Sequence, residues 1–252
     1  MGLAHRIIPT ILCRGRQLVK GRGFDSWRSV GVAIQAVKIH AARGVDEVCL
    51  LDITATKEGR GPDLDLVREL ADFLFTPLAV GGGVRAVDDV KALLRAGADQ
   101  IVIGSGALET GVVREASAIV GCQGITVSID VKHGQVWGRC GTVPYDTSPS
   151  QPLRPEAWAR EVEAAGAGEI LLQSIERDGT GQGYDLALIR AVRAAVGVPV
   201  IASGGAGNYQ HMLDAIQAGA SAVASGAMFQ FENATPRDAA QYLARAGVEV
   251  RL

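Results

Sequence analysis

Short apolar runs alternate with amphipathic stretches along the whole chain. The runs fall at 7–12, 47–52, 78–80, 100–103, 125–130, 169–173, 200–202 and 222–224, and their continuous hydrophobicity predicts eight strands buried on both faces. Between them, the stretch 64–73 sets Leu64, Val67, Leu70 and Phe73 at helical spacing, and 87–94 and 186–195 carry the same period. Strands buried on both faces and separated by helices predict a parallel sheet. The punctuation between runs is itself repeated. Pro77-Leu78-Ala79-Val80-Gly81-Gly82-Gly83 returns as Pro199-Val200-Ile201-Ala202-Ser203-Gly204-Gly205, a shift of 122 positions. That shift also relates Gly44-Val45-Asp46-Glu47 to Gly166-Ala167-Gly168-Glu169, and Gly61-Pro62-Asp63-Leu64 to Gly183-Tyr184-Asp185-Leu186. Gly97-Ala98-Asp99 and Gly219-Ala220-Ser221 keep the same register. Eight strand–helix units with an internal twofold repeat predict an α/β fold, a single (β/α)8 TIM barrel built from two half-barrel repeats, as one domain over residues 1–252. The stretch 133–148, rich in Gly and polar residues around Trp137, predicts an extra hairpin or lid.

Composition narrows the class. Apolar residues make up 48% of the 252 positions, enough for one large core. The net charge of −2 supplies no basic field, which argues against nucleic acid as a partner. No run reaches the roughly 18 apolar residues of a membrane span, and no apolar leader is seen, so the expectation is a cytoplasmic protein without a membrane partner. Cys13, Cys49, Cys122 and Cys140 are scattered, without the pairing of a metal or disulfide framework, and read as reduced thiols. No metal and no cofactor are expected.

Candidate chemistry sits where predicted strands end, because barrels of this kind bind ligands at that face. Gly82 and Gly83 after the third strand, and Ser203, Gly204 and Gly205 after the seventh, let backbone N–H groups approach an anion, with a helix start beyond. The fourth and eighth strands add Ser105 and Gly106, and Gly226 and Ala227. Each half therefore predicts one phosphate cradle, and the two face each other across the mouth. The expected ligand is a small molecule with a phosphate at either end.

The motifs Leu51-Asp52-Ile53-Thr54-Ala55, Val80-Gly81-Gly82-Gly83, Ser128-Ile129-Asp130, Arg177-Asp178-Gly179-Thr180 and Ala202-Ser203-Gly204-Gly205 together resemble the cyclase subunit of imidazole glycerol phosphate synthase over nearly the whole chain. The resemblance implies a heterodimer with a glutaminase subunit, whose ammonia crosses the barrel and attacks a bisphosphorylated ribotide in a lyase and cyclisation reaction. It implies Asp130 as a catalytic acid–base group; the residues alone also allow an acid that only caps or pairs locally, with Lys132 nearby as a possible partner. Lys20 matches a lysine in a lid that closes over phosphate; Asp52 matches an acid that orients substrate hydroxyls. Asp178 either does similar work or fixes its loop. Arg6, Glu47, Gln100 and Glu169 match a ring at the ammonia entrance, with Gln100 standing where a lysine is usual.

Departures from the pattern are as informative. The resemblance calls for a second aspartate at the end of the first strand, where this chain has Leu12, and no acidic residue precedes Asp25. Losing one partner of an acid–base pair commonly costs on the order of 10²–10⁴ in rate. Gly104, Val32-Ala33, Gln173 and Glu176 also depart from the family's residues, at positions expected to meet substrate. Three readings follow: the histidine-pathway cyclase; a divergent paralogue that hands ammonia to a separate sugar-amidating synthetase in surface-polysaccharide synthesis; and a stand-alone sugar isomerase, which the surviving gate residues disfavour.

Overall fold

A computed structural model describes residues 4–148, 151–231 and 233–252. All eight expected strands are present, within a few residues of their expected limits. In chain order the strands are β1 (Arg6–Arg14), β2 (Gln17–Arg22), β3 (Asp25–Val32), β4 (Val48–Asp52), β5 (Leu78–Gly81), β6 (Gln100–Ile103) and β7 (Ile125–Lys132). They continue with β8 (Gln135–Gly138), β9 (Val143–Pro144), β10 (Asp146–Ser148), β11 (Gln151–Pro152), β12 (Glu169–Ser174), β13 (Val200–Ser203) and β14 (Ala222–Ser225). The parallel order β12-β13-β14-β1-β4-β5-β6-β7 closes on itself through β7 and β12, which gives an eight-stranded barrel. Helices connect the strands, as the right-handed βαβ rule requires.

The repeat is visible atom by atom. Asp63 accepts from the Leu66 N–H at 3.0 Å, and its mate Asp185 accepts from the Leu188 N–H at 3.0 Å, so both halves start the corresponding helix with the same cap. Gly82 (φ 113°) packs a backbone position against the Asp52 carbonyl, and Gly204 (φ 91°) packs against the carbonyl of Ser174, the mate of Asp52. A Cβ at either place would meet that oxygen at 2.5 and 2.7 Å respectively, so glycine is demanded twice by one geometry.

Two hydrophobic layers hold the barrel. The larger lies between sheet and helices and includes Leu66, Leu70, Val90, Leu93, Ile125 and Ile170. The smaller fills the barrel's interior with Ile8, Cys49, Leu51, Ala79, Val102, Leu171, Ile201, Ala222 and Ala224, and Leu12 packs on it. Two additions rise above the strand ends. The expected structure in 133–148 is there, with β8 antiparallel to β7 and to β9. The connection after β1, expected only as a loop, is a second antiparallel hairpin, β2 with β3.

Candidate functional site

The mouth of the barrel holds two clefts that share Leu12 and Gln173 and so form one continuous site. The first, about 690 Å³, gathers Gly82, Gly83, Gly104, Ser105 and Gly106 with Asp52 and Asp130. The second, about 490 Å³, gathers Ser203, Gly204, Gly205, Gly226 and Ala227 with Lys20 and Asp178. The residues of each predicted cradle are therefore brought together, one set in each cleft.

Asp130 ends the barrel part of β7. Its Oδ1 accepts from Ser128 Oγ at 3.1 Å and from Gln173 Nε2 at 3.4 Å. Burial pushes its carboxyl up to about 6, against those hydrogen bonds and with the charge of Asp178 adding to the rise. Lys132 is not its partner: the ammonium lies 5.0 Å from the centre of the Trp137 ring, and the cross-strand pairing of Asp130 with Trp137 explains why the lysine is drawn there.

Lys20 lies in β2, not on an exposed loop. It is 5% exposed, and Nζ donates to the Thr10 carbonyl at 3.3 Å. Burial lowers its ammonium to about 8, with Asp178 opposing. Asp178 is raised to about 6 by burial, offset by the Phe24 backbone N–H and by Lys20. The Gly23 N–H donates to the Asp178 carbonyl at 3.0 Å. Asp178 thus ties the hairpin's tip to the loop after β12 while lining the second cleft.

Asp52 is tied to its own loop through one oxygen. Oδ1 accepts from the Thr54 N–H (2.9 Å), Thr54 Oγ1 (3.0 Å) and the Ala55 N–H (3.2 Å), and Oδ2 faces Arg60 at 2.7 Å. Oδ1 is thus taken by the loop, while Oδ2 is ion-paired but accepts no hydrogen bond, and the acid lines the first cleft.

Leu12 occupies the centre of the mouth, where it caps the interior apolar layer and lines both clefts. Among the remaining departures, Gly104 and Gln173 line the mouth. Val32 and Ala33 instead join β3 to the following helix, and Glu176 pairs with His133 at 2.9 Å; none of these lines either cleft. Sequence reasoning missed Phe24, Trp27 and Cys140 in the first cleft. Phe24 and Trp27 come from the unforeseen hairpin, with ring centres 6.4 Å apart. The available signal was two aromatics three residues apart in a chain only 5% aromatic. Burial raises the Cys140 thiol to about 12, so it stays protonated.

At the opposite end, Arg6 joins Glu47 at 2.6 Å through Nη1 and Glu169 through Nη2. The two carboxylates are buried while Arg6 keeps a quarter of its side chain exposed, so the trio closes the floor. Burial raises Glu47 to about 7 and also raises Glu169, both against the pull of Arg6; the two acids in turn raise Arg6 despite its own burial. Glu169 begins β12, but Glu47 lies one position ahead of β4. Gln100 bonds elsewhere: its amide donates to the Gln123 carbonyl and accepts from Thr126 Oγ1, both at 3.4 Å.

The family model for histidine biosynthesis proteins matches residues 6–235, nearly the whole barrel. The chain belongs to that family. Histidine biosynthesis proteins of this kind are enzymes of the pathway, and the matched span contains both cradles, Asp130 and the floor trio. Among the described residues no group of three or more His, Cys, Asp or Glu is placed to hold a metal ion, and no helix is long and apolar enough to cross a membrane.

Proposed function

We propose that this member of the histidine biosynthesis family is a cyclase-type barrel that takes ammonia from a glutaminase docked on its floor and carries it through its interior to a mouth whose clefts fit a phosphorylated ligand. The observation that carries this is the floor: one arginine held between two buried glutamates beneath an interior whose inner layer includes Ala79, Ala222, Ala224 and Cys49. A buried charged trio contributes little net stability compared with apolar packing, so its placement across the axis favours a role in passage. Ammonia is neutral and small, and an apolar interior of short side chains suits it once Arg6 swings aside.

Ring closure in the histidine pathway needs proton transfer on both sides of the reacting centre. Asp130, raised to about 6, is fit to accept and return a proton near neutral pH. Leu12 can do neither. The apolar side chain at that point favours the second reading, in which the ammonia goes on to a separate sugar-amidating synthetase.

Purified protein, ammonium and the bisphosphorylated ribotide, followed for the imidazole product, test the proposal. Expected is turnover at least about 10²-fold below that of a two-aspartate cyclase, with Leu12→Asp restoring about tenfold or more. Normal turnover in the unmodified chain would reject the second reading. A glutaminase that releases its ammonia to solvent even with this chain bound would reject the floor as an ammonia entrance.

A further inference from the structure

The floor trio is short of one positive charge. Among the described residues, Arg6 is the one cation whose charge acts on either acid: Glu47 feels Arg6, Glu169 and Asp46, and Glu169 feels Arg6 alone. The two acids are 4% and 5% exposed, so solvent screens them poorly. The guanidinium takes one oxygen from each, Oε2 of Glu47 and Oε1 of Glu169. The other oxygen of Glu169 is buried and meets no hydrogen-bond donor among the described residues. Its cross-strand neighbour Thr126 gives its hydroxyl to Gln100 instead, and the Gln100 amide donates to the Gln123 carbonyl.

Two ionised carboxylates on one guanidinium carry a net negative charge, and a buried acceptor without a donor is costly to keep. With Glu47 at about 7, a proton restores the balance for part of the time near neutral pH. A small cation with N–H donors of its own restores it too, and also satisfies Glu169 Oε2. One step further in, the chemistry changes. Ile8, Cys49 and Leu171 stand two residues along their strands from Arg6, Glu47 and Glu169, which makes them the next side chains on the same face, and all three belong to the apolar interior layer. Burial and the two acids raise the Cys49 thiol, so it stays protonated and offers no counter-charge. An ion welcome at the floor cannot go on as an ion.

We propose that the floor trio is a binding site for the ammonium cation, which donates to Glu169 Oε2, leaves one proton on Glu47 and goes on inward as neutral ammonia. One N–H bond of the ion breaks and its electron pair stays on nitrogen. An O–H bond forms on the Glu47 carboxylate, and water at the exposed side of Arg6 later takes that proton away. The inference rests on the proposed function in reading the floor as an ammonia entrance, and it names the charged form that the entrance receives and the two acids that handle it.

The test uses the purified chain alone. Ammonium, potassium or tetramethylammonium chloride replaces sodium chloride at constant ionic strength, and the thermal midpoint is followed. Potassium is close to ammonium in size but has no N–H, and tetramethylammonium has the charge with neither the size nor an N–H. Expected is a saturable rise of about 3 °C or more with ammonium and of less than about 1 °C with either other ion. A smaller or non-saturating rise with ammonium, or an equal one with potassium or tetramethylammonium, would overturn the proposal. At about pH 5.5 a proton already holds Glu47, so half-saturation should need at least about tenfold more ammonium than at about pH 7.5. An unchanged requirement would remove Glu47 from the proton step and the proposal with it. Glu169→Gln and Glu47→Gln each leave a single acid for Arg6, and each should abolish the ammonium rise; a full rise in either variant would likewise reject the site. Should one variant not fold, the other decides together with the ion ranking and the pH comparison. No glutaminase or ribotide is present, so failure here leaves the floor assay standing, and failure of that assay leaves ammonium binding standing.

Discussion

The first-half and second-half cradles show how far a duplicated backbone can be carried to different chemistry. Gly82 and Gly204 sit at positive φ, pressed against the matching carbonyls of Asp52 and Ser174, and Gly83 and Gly205, also at positive φ, press against the carbonyls of Arg60 and Gly183. The side chains around them diverge. Asp52 holds its loop and Arg60 in the first half, while its mate Ser174 leaves that space to the Arg177–Gly179 loop, whose Asp178 meets the hairpin. Among the described residues, the one lysine that lines the two clefts, Lys20, comes from the first-half hairpin yet lies over the second-half cradle. Backbone symmetry therefore sets where a ligand can approach, and three or four side chains decide what charge it carries.

The largest effects test the shared part. Gly82→Ala and Gly204→Ala each place a methyl group against a carbonyl oxygen and force a strained backbone, and both should lose about 2–4 kcal/mol of stability. For a chain of this size that is a fall of about 5–15 °C in Tm. Paired denaturation of the two variants checks it. A loss in one with tolerance in the other would break the backbone equivalence.

The barrel was legible because its signal is redundant: eight apolar runs, repeated segments such as Gly61–Leu64 and Gly183–Leu186, and glycines in register all indicate the same fold. The cradle glycines followed from position alone. The hairpin of β2 and β3 was not legible, since Arg22, Gly23 and Ser26 interrupt any strand period and its stability comes from tertiary contacts, including the Gly23 bond to Asp178. With it were hidden the burial of Lys20 and the presence of Phe24 and Trp27 in the cleft. The possible local pair of Asp130 with Lys132 gives way for a related reason: residues two apart on a strand share a face, but the β8 strand brings Trp137 to compete for the ammonium.

A smaller effect separates the halves by charge. The folded-state carboxyl of Asp130, at about 6, lies above its unfolded value near 4, so the folded state holds the proton more tightly. Its stabilising contribution is complete below about pH 4 and is lost as pH rises through about 6. Asp130→Asn removes that loss. The variant should be about 1–2 kcal/mol more stable than the parent at pH 7.5, with the difference vanishing near pH 4, while any proton transfer by the residue disappears. Urea denaturation across pH 4–8 checks the sign. A variant less stable at neutral pH would show that the carboxylate has a counter-charge in the cleft.

The least effect concerns Ser105, whose mate is Ala227. Ser105→Ala makes the first half resemble the second at that position and removes the acceptor of the Arg139 N–H. Because Arg139 is exposed, water can replace the lost partner, and the cost to global stability should be only about 0.5–1 kcal/mol. The local consequence is larger than the global one. The loop joining β8 to β9 is held down on the cradle at this point, so amide exchange at Arg139 should accelerate several-fold while exchange in β5 and β6 stays unchanged. Unchanged exchange at Arg139 would mean that the hydroxyl does not restrain the loop. The loop would then be held by its own strand pairing, and Ser105, which keeps its O–H in either case, would differ from Ala227 only as a donor at the cradle.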